Sequence, residues 1–238
     1  VPILQITGLE KRFGGVVALA GVDITIGSDE ILGVIGPNGS GKTTLFNVIC
    51  GLRKPSAGRV TWDGRDITGF AQHRIARLGI GHTFQQAMAF KSLPVQENVR
   101  SALEHGLATR PRRWAGADEI LEFVGLTGFA DAPASALSFG NLRRLGVAIA
   151  LGAGPVQLML DEPAAGLNGN ESTELAELLR RVHAMGIGVC IVDHDIKMMA
   201  ALCQRLVVLN FGTKVADGPT GAVLEDARVV DIYLGGDP

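Results

Sequence analysis

A chain of 238 residues that is 47% hydrophobic has the apolar content to bury a large core, and that length fits one α/β unit with at most a subdomain. Its formal charge of −2 lacks the basic field on which non-specific binding to phosphate backbones depends, so nucleic acid is not an expected partner. The local basic run "RPRRW" at 110–114 reads more simply as a solvated loop.

The first region, to about residue 85, mixes short alternating runs, "LQITGL", "VDITI" and "RVTWDG", with one continuous apolar run, "ILGVI". Alternation predicts half-buried strands, and the continuous run predicts a strand covered on both faces. "ILGVI" leads into glycines and then into an amphipathic helix beginning near Lys42. From about residue 86 to residue 154 no convincing strand is found, and the periodicity turns helical around "VQENVRSALEHGL", "ADEILEFVGL" and "NLRRLGVAIALG". This stretch is read as a helical insert.

Buried strands return as "VQLML" and "GVCIVD", joined by a helix containing "ESTELAELLRRVHAMG". That succession is a βαβ crossover, which makes the sheet at least partly parallel. "RLVVLNFGTKVADG" then predicts a strand pair turning at Phe211-Gly212, and "VLEDARVVDIYLGG" one or two short helices. Cys50, Cys190 and Cys203 lie far apart without CxxC spacing and read as reduced core residues of a cytosolic protein. No apolar run reaches the roughly 18 residues that a spanning helix needs. The first residues also lack a basic-then-apolar layout, so neither membrane spanning nor export is expected.

Directly after "ILGVI" stands GPNGSGKT, residues 36–43, a full match to GxxxxGK[ST] in the strand–loop–helix setting that gives the motif its meaning. Gly36, Gly39 and Gly41 let the backbone curl with its N–H groups inward, and the helix starting at Lys42 adds its positive end. Lys42 supplies a charge for β and γ phosphates, and Thr43 a hydroxyl for Mg²⁺. Asn38, Ser40 and Thr44 complete the predicted cradle. The second half of such a site is a carboxylate at the end of a neighbouring buried strand, and "VQLMLDEP" provides it. Asp161 is expected to hold Mg²⁺ through water and Glu162 to polarise an attacking water. Neighbours on a strand face opposite ways, but at a strand's end they can splay toward one ligand.

The order GPNGSGKT, "TFQQ", "LSFGN", "LMLDEP", "DHD" resembles, over essentially the whole chain, the ATP-binding subunit of an ATP-binding-cassette (ABC) transporter. The resemblance implies an α/β fold: a P-loop ATPase core with a mostly parallel sheet, a small antiparallel β subdomain and a helical insert carrying the signature motif. The expected division is residues 1–85 and 155–238 for the nucleotide-binding core and 86–154 for the helical subdomain. The ligands it implies are ATP and Mg²⁺. Phe13 falls where an aromatic stacks on adenine. Gln85 falls where a glutamine senses the γ phosphate, touches the metal and couples to the membrane partner. His194 falls at the switch histidine that contacts the γ phosphate. Asn168 stands where many members have Asp, in the loop that crosses to the partner.

The family's signature usually reads LSGGQ and is donated in trans to ATP held by the other protomer of a head-to-tail dimer. Here the Ser138 hydroxyl and the Gly140 N–H, beside a helix N-terminus, match the expected γ-phosphate ligands. Phe139 replaces a glycine, and Asn141 replaces the glutamine with an amide one methylene shorter, so a competent site with slightly weakened closure is expected. Ile149 stands where relatives generally carry arginine. "RIARLGIGHTFQ", "EPAAGLN", "VVLNFGTKVADG" and "VVDIYLGG" are most similar to the ATPases of branched-chain amino-acid importers, with urea, amide and lipopolysaccharide transporters sharing some phrases. The resemblance implies a peripheral subunit on the cytoplasmic side of the inner membrane. Its implied partners are permease subunits, a second ATPase subunit, identical or paralogous, and, indirectly, a solute-binding protein. Three alternatives remain open: the ATPase of a lipid or lipopolysaccharide exporter, a soluble ABC ATPase, and an unrelated P-loop enzyme, a GTPase or small-molecule kinase, which needs no signature at the start of a helix. A soluble ABC ATPase working on ribosomes or DNA typically has two cassettes or a long coiled-coil arm, and only 51 residues separate Gln85 from Leu137. An unrelated P-loop GTPase is expected to carry NKxD, which is absent.

Overall fold

The computed structural model describes residues 2–83, 89–106 and 113–234. Strands β1 (Ile3–Phe13) and β2 (Val16–Gly27) form a hairpin, followed by β3 (Ile31–Ile35), α1 (Lys42–Ile49), β4 (Ala57–Trp62), β5 (Arg65–Asp66), α2 (Gln72–Ala76) and β6 (Ile80–Thr83). Three helices come next, α3 (Val95–His105), α4 (Ala117–Val124) and α5 (Phe139–Gly152). The chain then alternates through β7 (Gln157–Asp161), α6 (Gly169–Ala184), β8 (Gly188–Val192) and α7 (Ile196–Leu202). It closes with β9 (Arg205–Asn210), β10 (Thr213–Pro219), α8 (Thr220–Leu224) and α9 (Ala227–Leu234).

Two sheets result, an antiparallel one ordered β2-β1-β4-β5 and a larger one ordered β10-β9-β3-β8-β7-β6. The larger sheet is parallel except where β10 returns against β9. Its inner strands β3, β7 and β8 are buried at every position, which is why they read as unbroken apolar runs. One face packs with Leu45 and Phe46 of α1 against Leu4, Ile6 and Ile24 of the antiparallel sheet. The other face packs with α5, α6 and α7, and the same apolar cluster runs on into α3 and α4. At the β9–β10 turn both Phe211 and Gly212 have positive φ, 44° and 75°, a hairpin turn whose twist matches the strands it joins.

Several local readings change. Ile80–Thr83 is a parallel edge strand paired with β7, too short and too interrupted by Gly81 and His82 to show a period. The signature helix starts at Phe139, two residues before its apolar pattern becomes visible, because Ser138 caps it: the Oγ accepts from Asn141 N–H at 3.3 Å. The described end of "RPRRW" is not a solvated loop. Trp114 is buried, edge-on to Phe123 at 5.2 Å between centroids, and the Arg113 guanidinium donates to the Met185 carbonyl. All three cysteines are buried and free, and burial pushes the Cys203 thiol up to about 12.

Candidate functional site

The phosphate loop leaves the buried end of β3 and is threaded between two backbones that admit only glycine. Gly36 has φ 153°, and a Cβ there would stand 2.1 Å from the Leu209 carbonyl oxygen at the end of β9. Gly41, at φ 105°, would meet the Ala18 carbonyl oxygen of β2 at 2.5 Å. The hairpin turn braces the loop from outside, since Gly212 N–H donates to the Ser40 carbonyl at 2.9 Å. Asn38, Gly39 and Thr43 are exposed, while Gly36, Ser40 and Lys42 are buried. Thr44 is half-buried in the first turn of α1.

Lys42 is held at the centre of this loop. Its Nζ donates to the carbonyls of Gly36 at 2.7 Å and Pro37 at 2.9 Å, leaving one of its three N–H groups for a phosphate oxygen. Burial lowers the ammonium, while the charges of Glu162, Asp161 and Asp193 hold it up.

The carboxylates lie at the ends of adjacent parallel strands. Asp161 closes β7, is 7% exposed and has a buried Oδ1 with no hydrogen-bond partner among the described residues. Burial pushes its carboxyl up to about 6, the charges of Glu162 and Asp193 adding and Lys42 opposing. Glu162 leaves the strand through a left-handed conformation, φ 46°, which costs a non-glycine residue about 1–2 kcal/mol. That turn is what lets consecutive carboxylates serve one site, and it is fixed by Glu162 N–H donating to the Val192 carbonyl at 2.7 Å. His194, just beyond β8, has its Nδ1 4.0 Å from Glu162 Oε1.

A hard divalent cation such as Mg²⁺ takes oxygen ligands and keeps several waters. The unpartnered Asp161 Oδ1 and the exposed Thr43 hydroxyl at the start of α1 fit that chemistry. No group of three His, Cys, Asp or Glu among the described residues is arranged to hold a metal.

Phe13 ends β1 opposite Val16, 44% exposed, with Lys11 Nζ 4.9 Å from the ring centroid. The structure therefore gathers Lys42, Asp161, Glu162 and His194 into one centre. It does not bring the signature there. Gly140 packs on the α6 side chain of Glu171, whose Oε1 lies 2.8 Å from where a Gly140 Cβ would be. Asn141 lines a hollow with Arg144, Glu171 and Glu174. Asn168 caps α6, its Oδ1 accepting from Asn170 and Glu171 N–H while Glu171 Oε2 accepts from Asn168 N–H, a reciprocal capping box. Gln85 lies outside the described residues.

Sequence reasoning passed over Asp193, a fully buried third carboxylate between Asp161 and His194. The signal was available, since Asp193 follows β8 as Asp161 ends β7. A groove of about 240 Å³ runs between β6 and the α3–α5 helices, lined by Gln72, His82, Thr83, Ala102, Ile149 and Ala150. Ile149 is thus half-buried in a groove wall.

Comparison with known proteins gives a consistent result. The ABC transporter family model matches residues 19–165. The chain is 37% identical to the high-affinity branched-chain amino acid transport ATP-binding protein BraF of Pseudomonas aeruginosa, covering 98% of both chains. It is 36% identical to LivG of Escherichia coli K12, again covering 98% of both, and 35% identical to the lipopolysaccharide export ATP-binding protein LptB of Haemophilus influenzae, covering 98% of this chain and 97% of LptB. Among solved structures, the ADP conformation of MJ1267, an ATP-binding cassette of an ABC transporter, superposes with TM-score 0.88 at 30% identity, covering 99% of this chain and 100% of that one. The dimeric cassette MJ0796 bound to ADP and Pi gives TM-score 0.79 at 27% identity, over 91% and 98%.

Proposed function

The chain belongs to the ABC transporter family as an ATP-binding subunit, an ATPase, and on that premise we propose that it drives import of branched-chain or related amino acids through a separate permease fed by a solute-binding protein. The names of its relatives BraF and LivG support the cargo class. One observation carries the reading of the site: the buried Asp161 oxygen beside Glu162, without a partner among the described residues, whose charge acts on Lys42 at the phosphate loop.

In this mechanism Phe13 stacks on adenine, and the phosphate-loop N–H groups with Lys42 neutralise the β and γ phosphates. Asp161, Thr43 and Gln85 would hold Mg²⁺, which supplies charge neutralisation to the same phosphates. Glu162 accepts a proton from the attacking water, and His194, whose Nδ1 lies 4.0 Å from Glu162 Oε1, contacts the γ phosphate beside it. The site is completed in trans by a second ATPase subunit, whose Ser138 hydroxyl, Gly140 N–H and Asn141 amide close on the nucleotide at the N-terminus of α5. Ser138 Oγ takes the Asn141 N–H as acceptor, so its own proton remains free for a phosphate oxygen.

Residues 1–85 and 155–238 form the nucleotide-binding core and 86–154 the helical subdomain that carries the signature. The permease docks in the groove between them, whose lining includes Thr83, two residues before Gln85 in the sequence. No described helix is long and apolar enough to cross a membrane; the span belongs to the permease, and the subunit sits at its cytoplasmic face, where ATP is. The test is uptake of a labelled branched-chain amino acid by host cells lacking this chain. Uptake should be lost and restored by the wild type but not by Glu162→Gln. Undiminished uptake in the deleted cells refutes the cargo assignment.

A further inference from the structure

Asp193 is the most enclosed charged side chain of the site, 0% exposed, and its two oxygens serve two different loops. Oδ1 accepts the backbone N–H groups of His194 at 2.7 Å and Asp195 at 3.0 Å. Oδ2 accepts the N–H of Ala164 at 3.1 Å, two residues beyond Glu162. The Ala164 bond crosses from β8's loop to β7's loop. On the far side the same segment is held by Arg143, which donates to the Ala165 carbonyl at 3.0 Å.

We infer that Asp193 is a positioning residue that braces the Glu162 loop against the His194 loop and so sets the spacing of the two side chains where they meet the reacting γ phosphate. A carboxylate is the side chain that can do this, because it accepts on both oxygens at once and donates on neither. Burial makes each bond matter, since a buried N–H that loses its acceptor bears the full desolvation cost. Glu162 is held in a left-handed conformation, which persists only where its surroundings over-determine it. The brace is one such constraint. Its hydrogen bonds go to Ala164, His194 and Asp195 and not to the phosphate loop, where Asp193 acts only through its charge on Lys42.

The inference rests on the roles proposed above for Glu162 and His194. Asp193→Asn separates the two functions of the side chain. The isosteric amide keeps one accepting oxygen, which the two N–H groups of His194 and Asp195 claim together, and it turns an NH₂ donor toward the Ala164 N–H. The measurements are ATP affinity, Mg²⁺-ATP turnover, Mg²⁺ half-activation and thermal unfolding, on the full chain in its transporter complex. The expected result is kcat lowered at least about tenfold with Kd for ATP and the unfolding temperature nearly unchanged. If Asp193→Asn does not purify folded, Asp193→Ser, whose hydroxyl accepts one N–H, should give the same split.

Unchanged kcat overturns the inference. So does a loss of kcat matched by losses in ATP affinity and unfolding temperature, which is a merely structural role. A shift in Mg²⁺ half-activation at unchanged kcat also overturns it, leaving Asp193 only a charge near Asp161. Glu162→Gln is the control in the same complex. If it retains full turnover, the assignment of the site falls with the inference; if it loses turnover while Asp193→Asn does not, the inference alone falls.

Discussion

The two halves of the proposed ATP site are built on opposite principles. The half formed by the phosphate loop and the strand ends is buried and charged, with Lys42, Asp161 and Asp193 each less than a tenth exposed and Gly36 and Gly41 pressed against backbone. The signature half is an exposed helix start, with Phe139 64% exposed and Gly140 resting on a flexible carboxylate. The first half is preorganised by its own chain. The second presents donors and a helix N-terminus outward, and in the proposed mechanism it gains a ligand only when another subunit brings one. Substitutions in the first half should therefore register in the isolated subunit and those in the second only in the assembled pair.

The largest expected effect tests the first half. Glu162→Gln keeps the shape and removes the proton acceptor, so turnover should fall about 10²–10⁴-fold while ATP binding persists. Steady-state hydrolysis beside nucleotide binding checks this, and a rate within a few fold of wild type would remove Glu162 from the chemistry. The next effect compares one glycine from each half. Gly36→Ala drives a Cβ into the Leu209 carbonyl at a φ of 153°, whereas Gly140→Ala meets only the end of the Glu171 side chain. The first should cost several kcal/mol or prevent folding, and the second about 1 kcal/mol or less. Equal unfolding midpoints for the two variants would show that the halves do not differ in rigidity.

His82, in the groove between β6 and the helices, offers a pH test of burial. Its ring nitrogen lies 2.9 Å from the Gln72 amide nitrogen, and burial holds its imidazole down to about 4 from 6.5. A folded-state value below the unfolded one means that the unfolded chain binds the proton more readily, so stability is lost as pH falls through 6.5 toward 4. By pH 5 this amounts to about 2 kcal/mol. Asp161 works the other way, since its raised carboxyl takes up a proton as pH falls through about 6. The informative quantity is therefore the difference between wild type and His82→Gln in denaturant-unfolding free energy at pH 7 and pH 5. Acid should cost the wild type more, and parallel curves would mean that the imidazole is not shielded.

The same contrast governs what the sequence disclosed. Strands β3, β7 and β8 were legible because burial on both faces writes a continuous apolar run, and the phosphate loop because Gly36 and Gly41 occupy positions where a Cβ collides with backbone and Gly39 one with positive φ. Strand β6 was not, because four residues containing Gly81 and His82 carry no period. Nor could spacing reveal that Glu162 turns through φ 46° to stand beside Asp161, since that conformation is imposed by the Val192 carbonyl from a strand thirty residues away in the chain. Asp193 sat inside "VDHD", where attention to the histidine hid the carboxylate that supports it. The signature's odd letters, Phe139 and Asn141, were plain to read, but their consequence lies in a partner chain.

That consequence supplies the smallest effect. Ser138 and Gly140 retain a hydroxyl and a backbone N–H for a phosphate brought in trans, and the cap at Asn141 N–H is a backbone bond that any side chain keeps. What differs is reach, because the asparagine amide ends one methylene short of glutamine. Asn141→Gln should therefore leave ATP binding by the isolated subunit untouched and tighten ATP-driven pairing by one neutral hydrogen bond, about 0.5–1.5 kcal/mol or roughly 2- to 12-fold. Sedimentation of the Glu162→Gln background with and without Asn141→Gln, at saturating ATP, measures the pairing directly. If the added methylene changes neither pairing nor turnover, the asparagine already reaches its ligand and closure is not weakened; a change in ATP affinity of the lone subunit would instead mean that the two halves are not separable.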